Sequence, residues 1–305
     1  MFWSGYTEEN LKKETEIFFS PLNLNEIPHI MRNKMQWNIA SELMSHWFNT
    51  HPAFAMTEEL RNQYIGMPAI NIPKDKVNVD IVKMEWAMQF DIIKESIQLL
   101  AQKWASPKGL NRLFEGNDSI FHLNKNHSLE NIVYVGNSND VLYLDTYAQV
   151  NIQRFSDSIF DKITQEVNEL YGAIGAGTLK LCVRGYFDLS NGKKAFITEK
   201  IGFYIKDSYD FSSGIWFGYE PLGVWTKDGI LDKAGSILYM LNYNNSDYYS
   251  IHKKWKEAVV PIFNKDFRAW QKKYNEGGDF IVFSDVYWTD PLDKDRIIYE
   301  PKFGV

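Results

Sequence analysis

Cysteine is nearly absent: Cys182 is the only one in 305 residues. A lone thiol closes no intramolecular disulfide, so the fold does not rest on cross-links or on an oxidising compartment. No apolar run is long enough to cross a bilayer as a helix. Met1 to Glu9 has neither the basic stretch nor the apolar core of a secretory signal. The strong catalytic signatures are also missing, with no Walker A loop, GxGxxG, GxSxG, HExxH or CxxC pair. Internal repeats and low-complexity tracts are absent. Basic residues are outnumbered 33 to 39, a formal charge of −6, which argues against general affinity for nucleic acid or anionic membrane. The reading is a protein made and folded in the cytoplasm, with no cofactor and no metal expected.

Aromatics are plentiful, with 10 Trp, 17 Tyr and 20 Phe. Helical period dominates the first third. Met35, Ile39, Leu43 and Trp47 form one stripe, expected on a helix from about Ile30 to Phe48. Val82, Trp86, Phe90, Ile93, Ile97, Leu100 and Trp104 form a second, on one long helix that Asp80 would cap. Short β-like runs follow at Ile132–Val135 and Val141–Leu144. Another amphipathic helix is expected over Asp157–Tyr171.

From Thr178 the period becomes two. Leu179, Leu181 and Val183 alternate with Lys180, Cys182 and Arg184, and Asn191-Gly192 is a strong hairpin signal. The return strand is expected from Ala195 to about Tyr209. A helix over Asn264–Tyr274 and a strand at Phe280–Phe283 complete the chain. The class is α+β: a helical N-terminal part, then a mainly antiparallel sheet with one or two packed helices. Two regions are expected, 1–150 mostly helical and 151–305 built on the hairpin, which can equally form one domain.

Candidate chemistry gathers at the end of that hairpin. Asp207, Asp210 and Arg184, joined across the sheet by Asp285, would form an acid/base group with an anion clamp. Tyr209, Trp216, Tyr219 and Trp225 would line a groove beside it. Cys182 lacks a histidine neighbour and reads as an ordinary strand cysteine. The histidines do not pair at metal-ligand spacing on any expected helix.

Several segments together resemble an uncharacterised bacterial family. They include Met35-Gln36-Trp37, Leu43 to Phe48, Val82 to Ala87, Leu170-Tyr171-Gly172-Ala173, Gly202 to Phe211, Pro221 to Trp225, Phe263 to Arg268 and Gly277 to Asp285. Members of that family are often encoded beside type VI secretion spike genes. The resemblance implies an antibacterial effector, a toxin acting on a rival cell, with a cell-envelope substrate as one option. Such a protein would be loaded from the cytoplasm without a Sec signal. It equally allows a non-enzymatic adaptor, chaperone or structural partner of a spike, effector or immunity protein. Asp207-Ser208-Tyr209-Asp210 is also similar to the Asp-x-Tyr-Asp core of M-type colicins, which cleave lipid II. The His-Arg that follows in those proteins is replaced here by Phe211-Ser212-Ser213.

Overall fold

The computed structural model describes residues 22–129, 131–155, 167–190, 192–212, 221–232, 235–236 and 260–301. The helices are α1 (Ile27–Asn33), α2 (Asn38–Phe48), α3 (Glu58–Gly66), α4 (Met84–Ala87), α5 (Asp91–Lys103), α6 (Pro107–Phe114), α7 (Ile120–Asn124), α8 (Val141–Tyr147), α9 (Glu169–Ala173) and α10 (Asn264–Tyr274). The strands are β1 (Val77–Asn78), β2 (Ser128–Leu129), β3 (Ile132–Val135), β4 (Gln149–Phe155), β5 (Gly177–Asp188), β6 (Ala195–Tyr209), β7 (Pro221–Thr226), β8 (Gly229–Ile230), β9 (Val260–Phe263), β10 (Phe280–Phe283), β11 (Tyr287–Thr289) and β12 (Ile297–Tyr299). The class is α+β, with helices concentrated towards the N-terminus and a mainly antiparallel sheet after them. Short 3-10 turns link several elements.

The chain divides into two compact units, each drawn from three stretches. One comprises residues 1–55, 166–173 and 210–278; the other comprises 56–165, 174–209 and 279–305. The expected division near residue 150 therefore falls inside the second unit.

The first unit contains α1, α2, α9, α10 and the small antiparallel sheet β8-β7-β9. The helix expected over residues 30–48 is two helices, and of the stripe Ile39, Leu43 and Trp47 lie on α2 while Met35 lies in the connection before it. The first helix ends at Asn33, and the chain turns through Gln36, whose φ is 59°, and a non-helical Trp37 before α2 begins. Trp47 centres the core. Its ring meets Phe48, Phe211 and Phe267 edge-on, with centroids 5.1, 4.9 and 5.6 Å away. Edge-to-face contacts at these distances suit the ring quadrupole. Helix α10 lies where its period placed it, and it ends at Asn275 in the left-handed conformation (φ 54°). The Gln271 side-chain amide then donates to the carbonyls of Phe54 (3.0 Å) and Gly277 (2.7 Å), tying the helix end to two neighbouring segments.

The second unit is organised by a sheet ordered β1-β10-β6-β5-β3-β2, with β4 on β5 and with β11 and β12 on β6. The β5–β6 hairpin follows the period-two pattern, pairing from Thr178–Lys206 to Asp188–Ala195. It carries one bulge beside Gly185, whose φ is 158°. On its outer side β6 is met in turn by β10, β11 and β12. The β1–β10 pair is parallel.

Three expectations for this unit are corrected. Val82 to Trp104 forms two helices, α4 and α5, although Val82, Trp86, Ile93, Leu100 and Trp104 are all buried. Asp80 caps neither helix. Instead the Asn78 side chain accepts the amides of Asp80 (3.1 Å) and Ile81 (3.0 Å). Val141–Leu144 is helical, not a strand, because the Asp140 carboxylate accepts the Leu142 amide at 2.9 Å and nucleates α8. Most of the helix expected over 157–171 lies outside the described residues; α9 is the part seen.

Gly277 offers a direct check on the Trp47 core. Its φ is 89°, and a Cβ there would sit 2.6 Å from the indole. Gly277→Ala is expected to destabilise the first unit by about 1–3 kcal/mol. Urea denaturation followed by circular dichroism reads this, and an unchanged midpoint would contradict the packing.

Candidate functional site

The four charged residues expected to act together are engaged one by one. Arg184 on β5 donates from Nε to the Gly136 carbonyl (3.0 Å) and from Nη2 to the Ser138 carbonyl (2.7 Å) and Asn139 Oδ1 (3.2 Å). Its guanidinium lies over the Trp288 ring, 4.3 Å from the centroid. Arg184 therefore pins the loop between β3 and α8 through Nε and Nη2. Asp207 stands on β6 opposite Val282. Arg184 registers with Lys200, seven residues back along the same strand, a separation of about 23 Å. The structure does not bring these two together. The Asp285 carboxylate accepts the Met84 amide at 2.6 Å, at the start of α4. Asp210 belongs to the first unit, where it accepts the Ser212 amide at 2.9 Å, a local Asx turn.

The expected groove aromatics fare similarly. Tyr209 closes β6 and stacks on Phe280, with centroids 5.1 Å apart and planes 19° apart. Trp225 is buried on β7, opposite Val260. Trp216 and Tyr219 lie outside the described residues.

A different charged cluster assembles in the second unit. On β5 and β6, Lys180 faces Tyr204, Cys182 faces Gly202, and Lys206 follows Tyr204 by two residues. Strand alternation puts all of these side chains on one face of the sheet. Asp145 on α8 meets that face. Its Oδ1 accepts the Tyr204 hydroxyl at 2.6 Å and also the Lys180 ammonium, while Oδ2 accepts the Lys206 ammonium at 3.1 Å. Lys206 donates further to the Ile65 carbonyl (3.0 Å) and lies 5.2 Å from the Phe283 ring centroid. The side chains of Asp145 and Lys206 are each only 2% exposed and that of Lys180 12%.

The environment sets the protonation of each group. Burial pushes the Asp145 carboxyl up, but the Lys180 and Lys206 charges and their hydrogen bonds outweigh it and hold it below the usual carboxylate range. Burial lowers Lys206, against the pull of Asp145. Burial and the Asp145 charge raise the Tyr204 phenol well above its usual value, so it stays a donor. The same two causes raise the Cys182 thiol, which is fully buried and donates to the Gly202 carbonyl at 3.6 Å. Cys182 is therefore a protonated core residue, not a nucleophile.

Chemically this is a closed ion cluster whose acceptor oxygens are already taken. It holds α8 on the hairpin and leaves no reacting atom open. The one signal for it in the sequence was a lysine at two inward positions of otherwise apolar strands. Its acidic member could not be paired with them while residues 141–144 read as a strand. Among the described residues no group of three His, Cys, Asp or Glu side chains is placed to hold a metal ion, and no helix is long and apolar enough to cross a membrane.

Two variants separate a structural from a chemical role. Asp145→Asn leaves two buried ammonium groups short of a counter-charge and is expected to cost about 3–5 kcal/mol. Replacing the set together (Asp145→Leu, Lys180→Met, Tyr204→Phe, Lys206→Met) removes every charge and is expected to recover most of that loss. The pH dependence has a definite sign. Because Asp145 is depressed in the fold, its stabilisation is complete above the unfolded value of about 3.9 and is lost as pH falls through the lower folded value. Acid titration of unfolding should show that loss in the natural chain and a flatter profile in the fourfold variant.

Comparison with curated proteins and with solved structures gives no match. A family model does match, over residues 22–299, nearly the whole chain. On that match the chain belongs to a family of unknown function, DUF6402.

Proposed function

We propose that this protein works by binding rather than by catalysis, as an adaptor, chaperone or structural partner of a spike or effector protein in a type VI secretion setting. The observation that carries the first half is the fate of the charged side chains. Arg184, Asp210 and Asp285 are committed to backbone partners, and the acid–base cluster at Asp145 is enclosed in the core of the second unit. A catalytic acid or base must reach a substrate proton. The groups gathered here reach each other. The secretion setting rests on the resemblance of the segments from Met35 to Asp285 to a family whose genes often neighbour spike genes.

The reading separates from the effector reading by experiment. Expression in a sensitive strain, directed to the cytoplasm and to the periplasm in turn, is expected to leave growth unchanged. Co-purification with any spike or effector proteins encoded beside the gene is expected to retain one of them in stoichiometric amount. A growth defect that a cognate neighbour relieves would make the protein a toxin. Failure of every neighbour to bind would remove the adaptor reading.

A further inference from the structure

The outer edge of β12 in the second unit has a composition that suits a partner of one particular kind. The strand reads Ile297-Ile298-Tyr299, flanked by Arg296 and Glu300. Its inner edge pairs with β6, Ile298 lying opposite Phe196. The Arg296 carbonyl accepts the Thr198 amide and the Glu300 amide donates to the Lys194 carbonyl, each at 2.9 Å. Backbone groups alternate in direction along an antiparallel strand, so those of Ile297 and Tyr299 point away from β6. Among the described residues no strand pairs with that outer side. Ile297 is 52% exposed and Tyr299 62% exposed, whereas Ile298 between them is buried. Exposed edges are normally blunted by shortness, an inward charge, a proline or a bulge. The three residues of β12 make it short but carry no charge, proline or bulge, and Pro301 stands just beyond it.

The exposed side chains continue a surface. In register across β3, β5, β6 and β12 stand Tyr134, Tyr186, Ile197 and Ile297. Tyr134 is 47% exposed, and its ring centroid lies 6.0 Å from that of Tyr186. This apolar row ends at the open edge.

We infer that a second copy of this chain pairs with β12, antiparallel about a two-fold axis through Ile298. The charge pattern selects that occupant. In this register residue 296 of one protomer stands opposite residue 300 of the other. Arg296 therefore meets the partner's Glu300 and Glu300 meets the partner's Arg296. The segment is its own electrostatic complement only in the antiparallel sense; a parallel, in-register copy would set like charges side by side. The same register places Ile297 against the partner's Tyr299, an aromatic–β-branched pair of the kind that stabilises sheets. Those two residues are the ones whose outward backbone groups exchange hydrogen bonds. Within one chain Arg296 already contacts Asp293 (3.0 Å), and Glu300 contacts Lys194 (2.5 Å). The Arg296 and Glu300 side chains remain 52% and 40% exposed, so each can reach across while keeping its neighbour. The interface is isologous, as two-fold symmetry requires. The apolar row from Tyr134 to Ile297 runs into it from each side. This inference does not depend on the secretion reading.

Sedimentation velocity on the full chain tests it. The natural protein is expected to be a concentration-dependent dimer. Arg296→Glu places glutamates opposite each other twice, and Glu300→Arg does the same with arginines. Each alone is expected to weaken dimerisation at least about tenfold, with folding checked by circular dichroism. Mixing the two variants restores opposite charges at both contacts, so an equimolar mixture is expected to form a one-to-one dimer. Ile297→Lys with Tyr299→Lys is expected to give a folded monomer. A natural protein that stays monomeric overturns the inference. So does a dimer indifferent to these changes, or a mixture that stays apart.

Discussion

One carboxylate organises the second unit. Among the described residues Asp145 is the only acid in its cluster, and it collects a hydroxyl and two ammonium groups from the inner face of the β5–β6 hairpin. A buried ion of either sign is expensive alone, and the attraction between partners offsets that cost only when the remaining hydrogen bonds are made. Here they are, through Tyr204 and the Ile65 carbonyl. Apolar contact alone would not fix where α8 sits on the hairpin. The cluster allows one position, because a shift in register leaves two ammonium groups without a counter-charge.

The first unit shows the other way to define a core. Trp47 is held by shape. Phe48, Phe211 and Phe267 bring ring edges or faces to it from three separate stretches of chain, and Gly277 leaves the gap its indole fills. The abundance of aromatics is thereby explained in part. Large rings let segments distant in sequence share one contact centre with few residues.

The hairpin and α10 could be read from the sequence because a single period ran through each without interruption. The breaks within the first two stripes could not. Their apolar residues keep helical spacing across Gln36 and again across Met88 to Phe90, while the backbone leaves the helix. Periodicity reports which residues face inward and is blind to a kink that preserves the facing. The dispersal of the candidate site residues has a related reason. Arg184 stands opposite Lys200, so Asp207 lies seven residues further along β6 and on the opposite face of the sheet, a separation that counting back from the Asn191-Gly192 turn already implies. Asp145 was hidden by a local competition. Val141-Leu142-Tyr143-Leu144 favours a strand by composition, and the capping carboxylate of Asp140 decides for a helix.

The long strand β6 has 15 residues, and its outer side is closed piecewise by β10, β11 and β12, with residues 210–279 intervening between β6 and the first of them. A ribosome delivers β6 and its hairpin mate well before any of those closing strands. During synthesis an apolar edge of that length stands open until residues 280–299 have left the exit tunnel. Such edges recruit other strands. The order of the chain thus imposes a waiting period on the nascent protein, and it is in this interval, more than in the finished fold, that a holding chaperone would matter.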